Sequence, residues 1–504
     1  MVEVWRVQQW LERLAEAVSN NITLSLVILV LYIFYFFKLN GNRSRNLNLP
    51  PSPPKLPIIG NLHQLGDHPH RSFRDLSRKY GPMMLLHLGH AKTLIVSSPD
   101  IAREITTTHD TVFASRPFLT AARMFMYGCT DLTFAPYGDY WKQVKKVYAQ
   151  ELFSVNKVNS FRHIREEEMA LMIEKISSSC LLQTPADLTS LIRNAANNLT
   201  CRCGIGIKRD GNSRFGEVAK EVVIELGAFA YGDIFPSLRW MDVLTGFRRR
   251  KLFKKVDSYL KQLIQDRVNQ SKADEEEKDI LDHLLQAQKD NKLGIDNIKA
   301  LLINVFLGGD DAATTSEWAI AELFNKPSAM KKAQEEVRRV VGAKAKVHEE
   351  DIHQMEYLKL VVKETLRLHA PSPLLLPRYT SVGANVKGYD IPPNTTVLIN
   401  VWAFQTDPEM WDNPEEFIPE RFSNGGFDYK SSQNYQYLPF GSGRRSCPAI
   451  SFALAIIEPV LANLLFHFDW KLPSDLKEFD MTEEFGSFVT KKTPIQLVPV
   501  FRPS

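Results

Sequence analysis

Cysteine is scarce: five in 504 residues, an odd number at irregular spacings. That excludes a disulfide framework and favours a reduced, cytosol-facing compartment. Cys201 and Cys203 have no partner pair elsewhere, so a zinc site there is not supported. Net charge is nearly absent, +4 from 62 basic and 58 acidic residues, too little to argue for nucleic acid as a partner. There is no internal repeat and no long Ser/Gly linker. One large domain therefore remains open, although the length alone would suit about three. The remainder is ordinary globular composition, 44% hydrophobic and 24% charged, ample for a large core.

Charge is missing altogether from residues 22–37, "ITLSLVILVLYIFYFF". As a helix these residues span about 24 Å, a little short of a bilayer's hydrocarbon core, and Leu39 and its neighbours extend it. Residues 22–39 read as a transmembrane anchor. A cleaved signal peptide fits poorly, because no small-residue cleavage site follows and three glutamates precede the run. Lys38, Arg43, Arg45 and Lys55 after the span outnumber Arg6 and Arg13 before it, which places the body on the cytosolic side. In residues 1–21, Val4, Val7, Leu11, Leu14 and Val18 recur at helical spacing beside Trp5 and Trp10. That pattern suits an amphipathic interfacial helix, with a disordered tail as the alternative. Residues 40–60 turn basic and then Pro-rich, giving a stiff hinge. The globular body is expected at 61–504.

Within the body, residues 70–80 and 99–109 read as helices around a strand pair, "MMLLHLG" and "TLIVSS". Residues 137–330 are mostly helical by periodicity, with a charged break at "SKADEEEKD". One helix of some thirty residues, about 46 Å long, is expected from Ile295 to Asn325. A second run covers 350–369, and a last helix lies near 448–466. The fold class is mainly α with a small β-rich lobe.

Two features stand out from this background. "FLGGDDAATTSEW", 306–318, places Asp310 and Asp311 in the middle of an apolar helix, where ionised carboxylates are least favourable. "PFGSGRRSCPAI", 439–450, places Cys447 just before a helical run, framed by Gly441, Gly443, Arg444 and Arg445. A helix N-terminus and nearby cationic donors favour thiolate. A merely structural cysteine would not need that frame.

Phe440, Gly443, Arg445 and Cys447 match the haem-binding signature of cytochrome P450 enzymes, Phe-x-x-Gly-x-Arg-x-Cys-x-Gly, with Ala449 in place of the last glycine. "KETLRLH" supplies Glu364 and Arg367 on one helix face, and "PERF" supplies Arg421. The chain resembles this family from the Pro-rich hinge to the C-terminus, most closely its microsomal plant members of specialised metabolism (the class II type). The resemblance implies the cytochrome P450 fold and haem b held by the Cys447 thiolate. It also implies O2 activation with electrons from NADPH-cytochrome P450 reductase, and a lipophilic small-molecule substrate. The protein would be a single-pass protein of the endoplasmic reticulum membrane, with its catalytic domain at 61–504 in the cytosol. Glu364, Arg367 and Arg421 would form the family's Glu-Arg-Arg network. Trp141 and Lys145 match its Trp-x-x-x-Arg propionate contact, with Lys keeping the charge but losing the bidentate fork. Arg378 and Arg445 are the other propionate partners implied, and Phe440 lies in the ligand loop.

The family's long helix carries Ala/Gly-Gly-x-Asp/Glu-Thr over the haem, its glycines opening the helix and its acid and threonine forming a proton relay. Aligned from Gly308 and Gly309, Asp311 is the acid and Ala312 holds the threonine position. Counted back from Glu317-Trp318, Asp310 is the acid and Asp311 replaces the threonine. The threonine is absent in either register, and Thr315 is the nearest hydroxyl on the same face. The resemblance then implies either hydroxylation with altered proton delivery or a less usual oxidation, ring closure or coupling. A haem-dependent rearrangement or dehydration without reductant is the rival enzyme reading. A non-catalytic haem scaffold is the third. Candidate pocket residues are Phe118, Leu119, Met124, Phe125 and Met126, then Leu226 and Phe229, Asn304 and Gly308, Leu374 and Leu375, and Phe485 and Phe488. Each is equally readable as packing. The pocket suits a terpenoid, alkaloid or phenylpropanoid.

Overall fold

Prolines set where the first elements begin. Pro69 opens α1 (Pro69–Tyr80) and Pro99 opens α2 (Pro99–Thr106), the position where a missing N–H costs nothing. Between them β1 (Met83–Leu88) and β2 (Ala91–Val96) pair antiparallel, Leu85 opposite Leu94. The helical body follows: α3 (Asp139–Val147), α4 (Arg162–Leu181), α5 (Leu188–Ile205), α6 (Phe247–Asn269), α7 (Ile295–Asn325) and α8 (Glu356–Leu368). Then β3 (Arg378–Tyr379) and β4 (Thr396–Ile399) return to the first sheet, and α9 (Ile450–His467) closes the core. The sheet order is β1-β2-β4-β3. Leu94 runs parallel to Val397, and Val397 lies antiparallel to Arg378.

This computed structural model describes residues 47–206, 214–228, 230–269, 278–290, 292–429, 434–474 and 479–502, with Leu24, Ile28 and Val30. The chain forms two units, 1–49 with 388–390, and 50–387 with 391–504. In the first, Leu24, Ile28 and Val30 are helical and exposed; the rest of the expected 1–21 segment and 22–39 anchor lies outside the described residues. So does most of the charged break at 271–279. The second unit holds every element named above. Its core is built around α7, which packs along α5 and α9, with Leu199, Leu302 and Leu461 wholly buried. Phe73, Met84, Leu86 and Ile95 form a smaller core under the sheet.

Three expectations shift. The Pro-rich stretch from Pro50 is fixed to the body: the Pro51 carbonyl accepts from the Leu85 N–H at 2.9 Å. Proline keeps its acceptor, so it can edge a sheet from that side. The run at 350–369 is two helices, Glu349–Ile352 and α8. The Glu336 carboxylate accepts from the Tyr357 and Leu358 N–H groups at 2.8 and 2.9 Å, which starts a new helix there. Finally, α9 is the one helix among the described residues long and apolar enough to cross a membrane. It is 67% buried inside the body and serves as a core helix.

Candidate active site

The Cys447 loop turns through Gly441 and Gly443, at φ +67° and +70°. A Cβ on Gly443 would meet the Thr106 carbonyl oxygen at 2.6 Å, so only glycine fits. The Cys447 N–H donates to the Phe440 carbonyl at 2.9 Å, and the Phe440 ring stands edge-on to Tyr429, 5.6 Å away. Burial pushes the Cys447 thiol up to about 11; the Ala449 N–H pulls it down, and Asp311 pushes it further up.

Of the two aspartates, Asp311 is the one whose charge acts on the cysteine. At 100° per residue, neighbouring positions on α7 point to different surroundings. A Cβ on Gly308 would meet no atom within 4 Å, whereas one on Gly309 would meet the Thr200 hydroxyl at 2.5 Å. Gly309 is therefore a packing glycine against α5, not an opening. Asp310 lies on the side of Arg193 and Glu317, whose protonated forms its charge favours; these two pair at 2.6 Å. Asp311 acts on Cys447 through its charge. Its Oδ1 is buried without a hydrogen-bond partner, and burial, then Asp310, push its carboxyl up to about 8. Ala312 is buried, and the Thr315 hydroxyl donates back to the Asp311 carbonyl at 2.9 Å.

Two buried arginines, Arg116 and Arg378, and the half-buried Arg445 gather near this loop. Arg378 donates to Asp110 at 3.2 Å and to the Ser442 carbonyl at 2.6 Å. Arg445 donates to the carbonyls of Ala114 at 2.6 Å, Leu132 at 3.0 Å and Ala135, and stacks over Trp141 at 4.3 Å. Arg116 escaped the sequence reading. It donates to the carbonyls of Thr133 (3.0 Å), Leu376 (2.7 Å) and Pro377 (2.8 Å). Burial, then repulsion from Arg445 and Arg378, lowers its pKa. Burial, then Arg378, brings Arg445 down to about 10. Trp141 donates its Nε1–H to the Leu132 carbonyl at 3.0 Å. Lys145 reaches instead to the Arg444 carbonyl at 2.5 Å, over the Trp141 ring. Glu364, Arg367 and Arg421 meet elsewhere, with Arg367 forked onto Glu364 at 2.7 and 2.9 Å and Arg421 at 3.2 Å.

The apolar candidates divide. Phe118 is 56% exposed, so it is no enclosed wall. Phe125 and Met126 are wholly buried; the short helix Thr120–Phe125 turns Phe125 inward against Phe253. Leu374 packs on the small core beneath the sheet, and Phe485 stacks on His70. Leu375 sits at φ +51°, strained for a branched side chain, beside Gly441. Leu119 and Leu226 are partly buried against the main core, and Met124 and Phe488 are half-buried. Asn304 does not offer a free amide: its Oδ1 accepts from the Leu132 and Thr133 N–H groups. Phe229 lies outside the described residues.

A profile of the cytochrome P450 family matches residues 50–499. The chain belongs to the cytochrome P450 family. It is 48% identical over 465 residues to desmethylyatein synthase of Sinopodophyllum hexandrum, covering 90% of this chain and 94% of that protein. It is 42% identical over 462 residues to costunolide synthase of Cichorium intybus, covering 90% and 93%. A solved zebra fish cytochrome P450, its structure titled with progesterone, shares the fold at TM-score 0.74, with 24% identity over 86% of this chain and 99% of that one. The protein is a P450 monooxygenase of the plant microsomal type, and its cofactor is haem with a cysteine thiolate ligand.

The residues present fit that cofactor. A thiol with a backbone N–H beside it feels the charge of Asp311, which carries an orphaned carboxyl oxygen, and Gly308, three residues before Asp311, leaves open space. Two buried guanidiniums and the half-buried one of Arg445 gather near the same loop, where anionic propionates would be matched.

Proposed function

We propose that this P450 oxidises a lipophilic plant specialised metabolite, of terpenoid, alkaloid or phenylpropanoid size. O2 and electrons from NADPH-cytochrome P450 reductase would be used at the endoplasmic reticulum membrane. The observation that carries the site is the Cys447 loop, its turn fixed by Gly443, with the Cys447 N–H bonded to the Phe440 carbonyl and Asp311 near enough for its charge to act on the thiol. Cys447 would hold the haem iron through its thiolate. Arg116, Arg378, Arg445 and Trp141 would hold the propionates, and Lys145 steadies the ligand loop through the Arg444 carbonyl. When bound, the haem-thiolate supplies O2 activation, its thiolate pushing electron density that favours O–O cleavage.

The chain's own residues supply position and protons. In the register counted from Glu317-Trp318, Asp311 takes the place of the family's threonine, so the proton donor there would be a carboxylic acid. Burial keeps the proton on Asp311 to about pH 8, leaving it available near neutrality. Asp310 and Glu317 turn toward Arg193 of α5 instead. Leu375, held in a strained turn next to the loop, bounds the substrate space. With a carboxyl in place of a hydroxyl, the outcome is hydroxylation with altered proton delivery, or ring closure or coupling. The relatives' names differ in substrate, so similarity alone names none for this chain.

The test uses microsomes holding the protein and its reductase, assayed against a plant metabolite library by mass spectrometry, with and without NADPH. NADPH-dependent product supports the proposal, and its mass separates hydroxylation from coupling. NADPH-independent turnover would replace it with an isomerase or dehydratase. A thiolate-type spectrum with no turnover of any compound would point to a haem-binding scaffold. Asp311→Ala is expected to lower turnover by about 100-fold, the usual size for a lost general acid, with the reduced CO-bound spectrum unchanged.

A further inference from the structure

Two polar side chains hold one short segment ahead of α3, Asp131 wholly buried and Asn304, on α7, half-buried. Asp131 is completely buried. Its Oδ2 accepts from the Thr133 N–H at 2.9 Å and the Phe134 N–H at 3.0 Å, while its Oδ1 has no hydrogen-bond partner. Asn304, on α7, accepts from the Leu132 N–H at 3.1 Å and the Thr133 N–H at 3.3 Å. Its amide nitrogen is 3.8 Å from the Met126 sulfur. The same amide is near enough to Asp131 to favour its charged form, against a burial that pushes the carboxyl up to about 6.

The carbonyls of this segment serve a different set of groups. The Leu132 oxygen accepts from Trp141 Nε1 and Arg445 Nη1, both at 3.0 Å. The Thr133 oxygen accepts from Arg116 Nε at 3.0 Å, and the Ala135 oxygen from Arg445 Nη2. One short loop is therefore gripped through its N–H groups by Asp131 and Asn304, and through its carbonyls orients two arginines and the tryptophan.

We infer that Asp131 and Asn304 are positioning residues for the haem site, fixing the 131–135 segment so that its carbonyls aim Arg116, Trp141 and Arg445. Buried peptide groups need partners, and a loop held on one side only would let the guanidinium forks rotate. Arg445 is two residues before Cys447, so the distal helix and the ligand loop are joined through this segment. Groups that orient ligand-shell residues in this way typically influence affinity for the metal or cofactor by one to two orders of magnitude.

The inference rests on Cys447 ligating the haem and on the arginines holding its propionates. It is tested by exchanging the two side chains. Asn304→Asp alone sets two carboxylates against each other. Asp131→Asn alone sets two amide donors against each other. The double variant Asp131→Asn with Asn304→Asp restores a donor facing an acceptor and keeps every N–H acceptor. The readouts are the rate of haem transfer to apomyoglobin, the thiolate-type fraction of the reduced CO-bound spectrum, and the melting temperature of haem-free protein. Each single variant is expected to lose haem about tenfold faster with a smaller thiolate fraction, and the double variant to return to the parent rate. If the singles do not accumulate as folded protein, recovery of the double variant supports the inference equally. Singles that hold haem like the parent, or a double variant no better than the singles, overturn it. A parent protein without a thiolate-type spectrum would instead fault the assignment of Cys447.

Discussion

Around Glu364 the chain supplies an oxygen for each guanidinium; around Arg116, Arg378 and Arg445 it supplies many carbonyls but few negative charges. In the first cluster Arg367 forks onto Glu364 and sends its remaining donors to the carbonyls of Gln405, Pro414 and Glu416. Arg421 joins the same carboxylate and caps the carbonyls of Asp412, Asn413 and Glu416. In the second, Asp110 pairs with Arg378 and reaches Arg444 at 3.6 Å, and burial, then mutual repulsion, lowers Arg116 and Arg445. The same side chain thus serves once as an internal lock and, on the proposed reading, once as a receptor for the haem propionates.

The largest expected effect tests the lock. Arg367→Met leaves Glu364 buried without its forked partner, and should cost about 3–5 kcal/mol of stability with or without haem, read by denaturant unfolding. The receptor should answer differently. Arg116→Met is expected to speed haem loss about tenfold, equivalent to about 1.4 kcal/mol, with a smaller change in unfolding of the haem-free protein. Equal unfolding losses in the two variants would erase the distinction. Arg421→Lys keeps a charge by Glu364 but abandons the fork onto the loop carbonyls, and should cost about 1 kcal/mol, measured in the same way.

The smallest effect lies outside both clusters and calibrates them. Glu483 is held down to about 2, because hydrogen bonds and charge from His70 and Arg71 outweigh the opposing effect of burial. A carboxylate lowered on folding stabilises above its ordinary value near 4.5 and loses that stability as pH falls toward about 2. Melting temperature should therefore drop across that window, and Glu483→Gln should flatten the drop. An unchanged acid profile would mean that Glu483 does not hold its segment to His70 and Arg71 in this way.

Much of this architecture was legible because it depends on local pattern. The long helix ends at Asn325 as expected, since Lys326-Pro327 begins a new helix with proline in its first turn. Cys447 was legible because glycines and arginines surround it within a few residues. Arg116 was not, because its partners Leu376 and Pro377 lie 260 and 261 residues away. The available signal was a lone arginine before Pro117 in an otherwise apolar stretch. The choice between Asp310 and Asp311 could not be made from spacing, as it depends on which face α5 covers. Asn304 looked like a pocket amide because it shares a helical stripe with Gly308, but the loop that uses it comes from residues 131–134. Phe125 and Met126 misled for the same reason: an apolar loop can line a cavity or fill a core, and here α6 supplies the Phe253 ring that makes Phe125 core.

Gly308 and Gly309 are neighbours in sequence and opposites in constraint. A side chain gained at 309 collides with Thr200 and would drive two core helices apart. One gained at 308 enters empty space and meets no atom within 4 Å; on the proposed reading it would alter which molecules fit. Lineages descended from such a sequence can therefore explore new chemistry at one position while selection for a foldable chain holds the next one still. A single step along the helix separates the part of the protein free to diversify from the part that must be inherited intact.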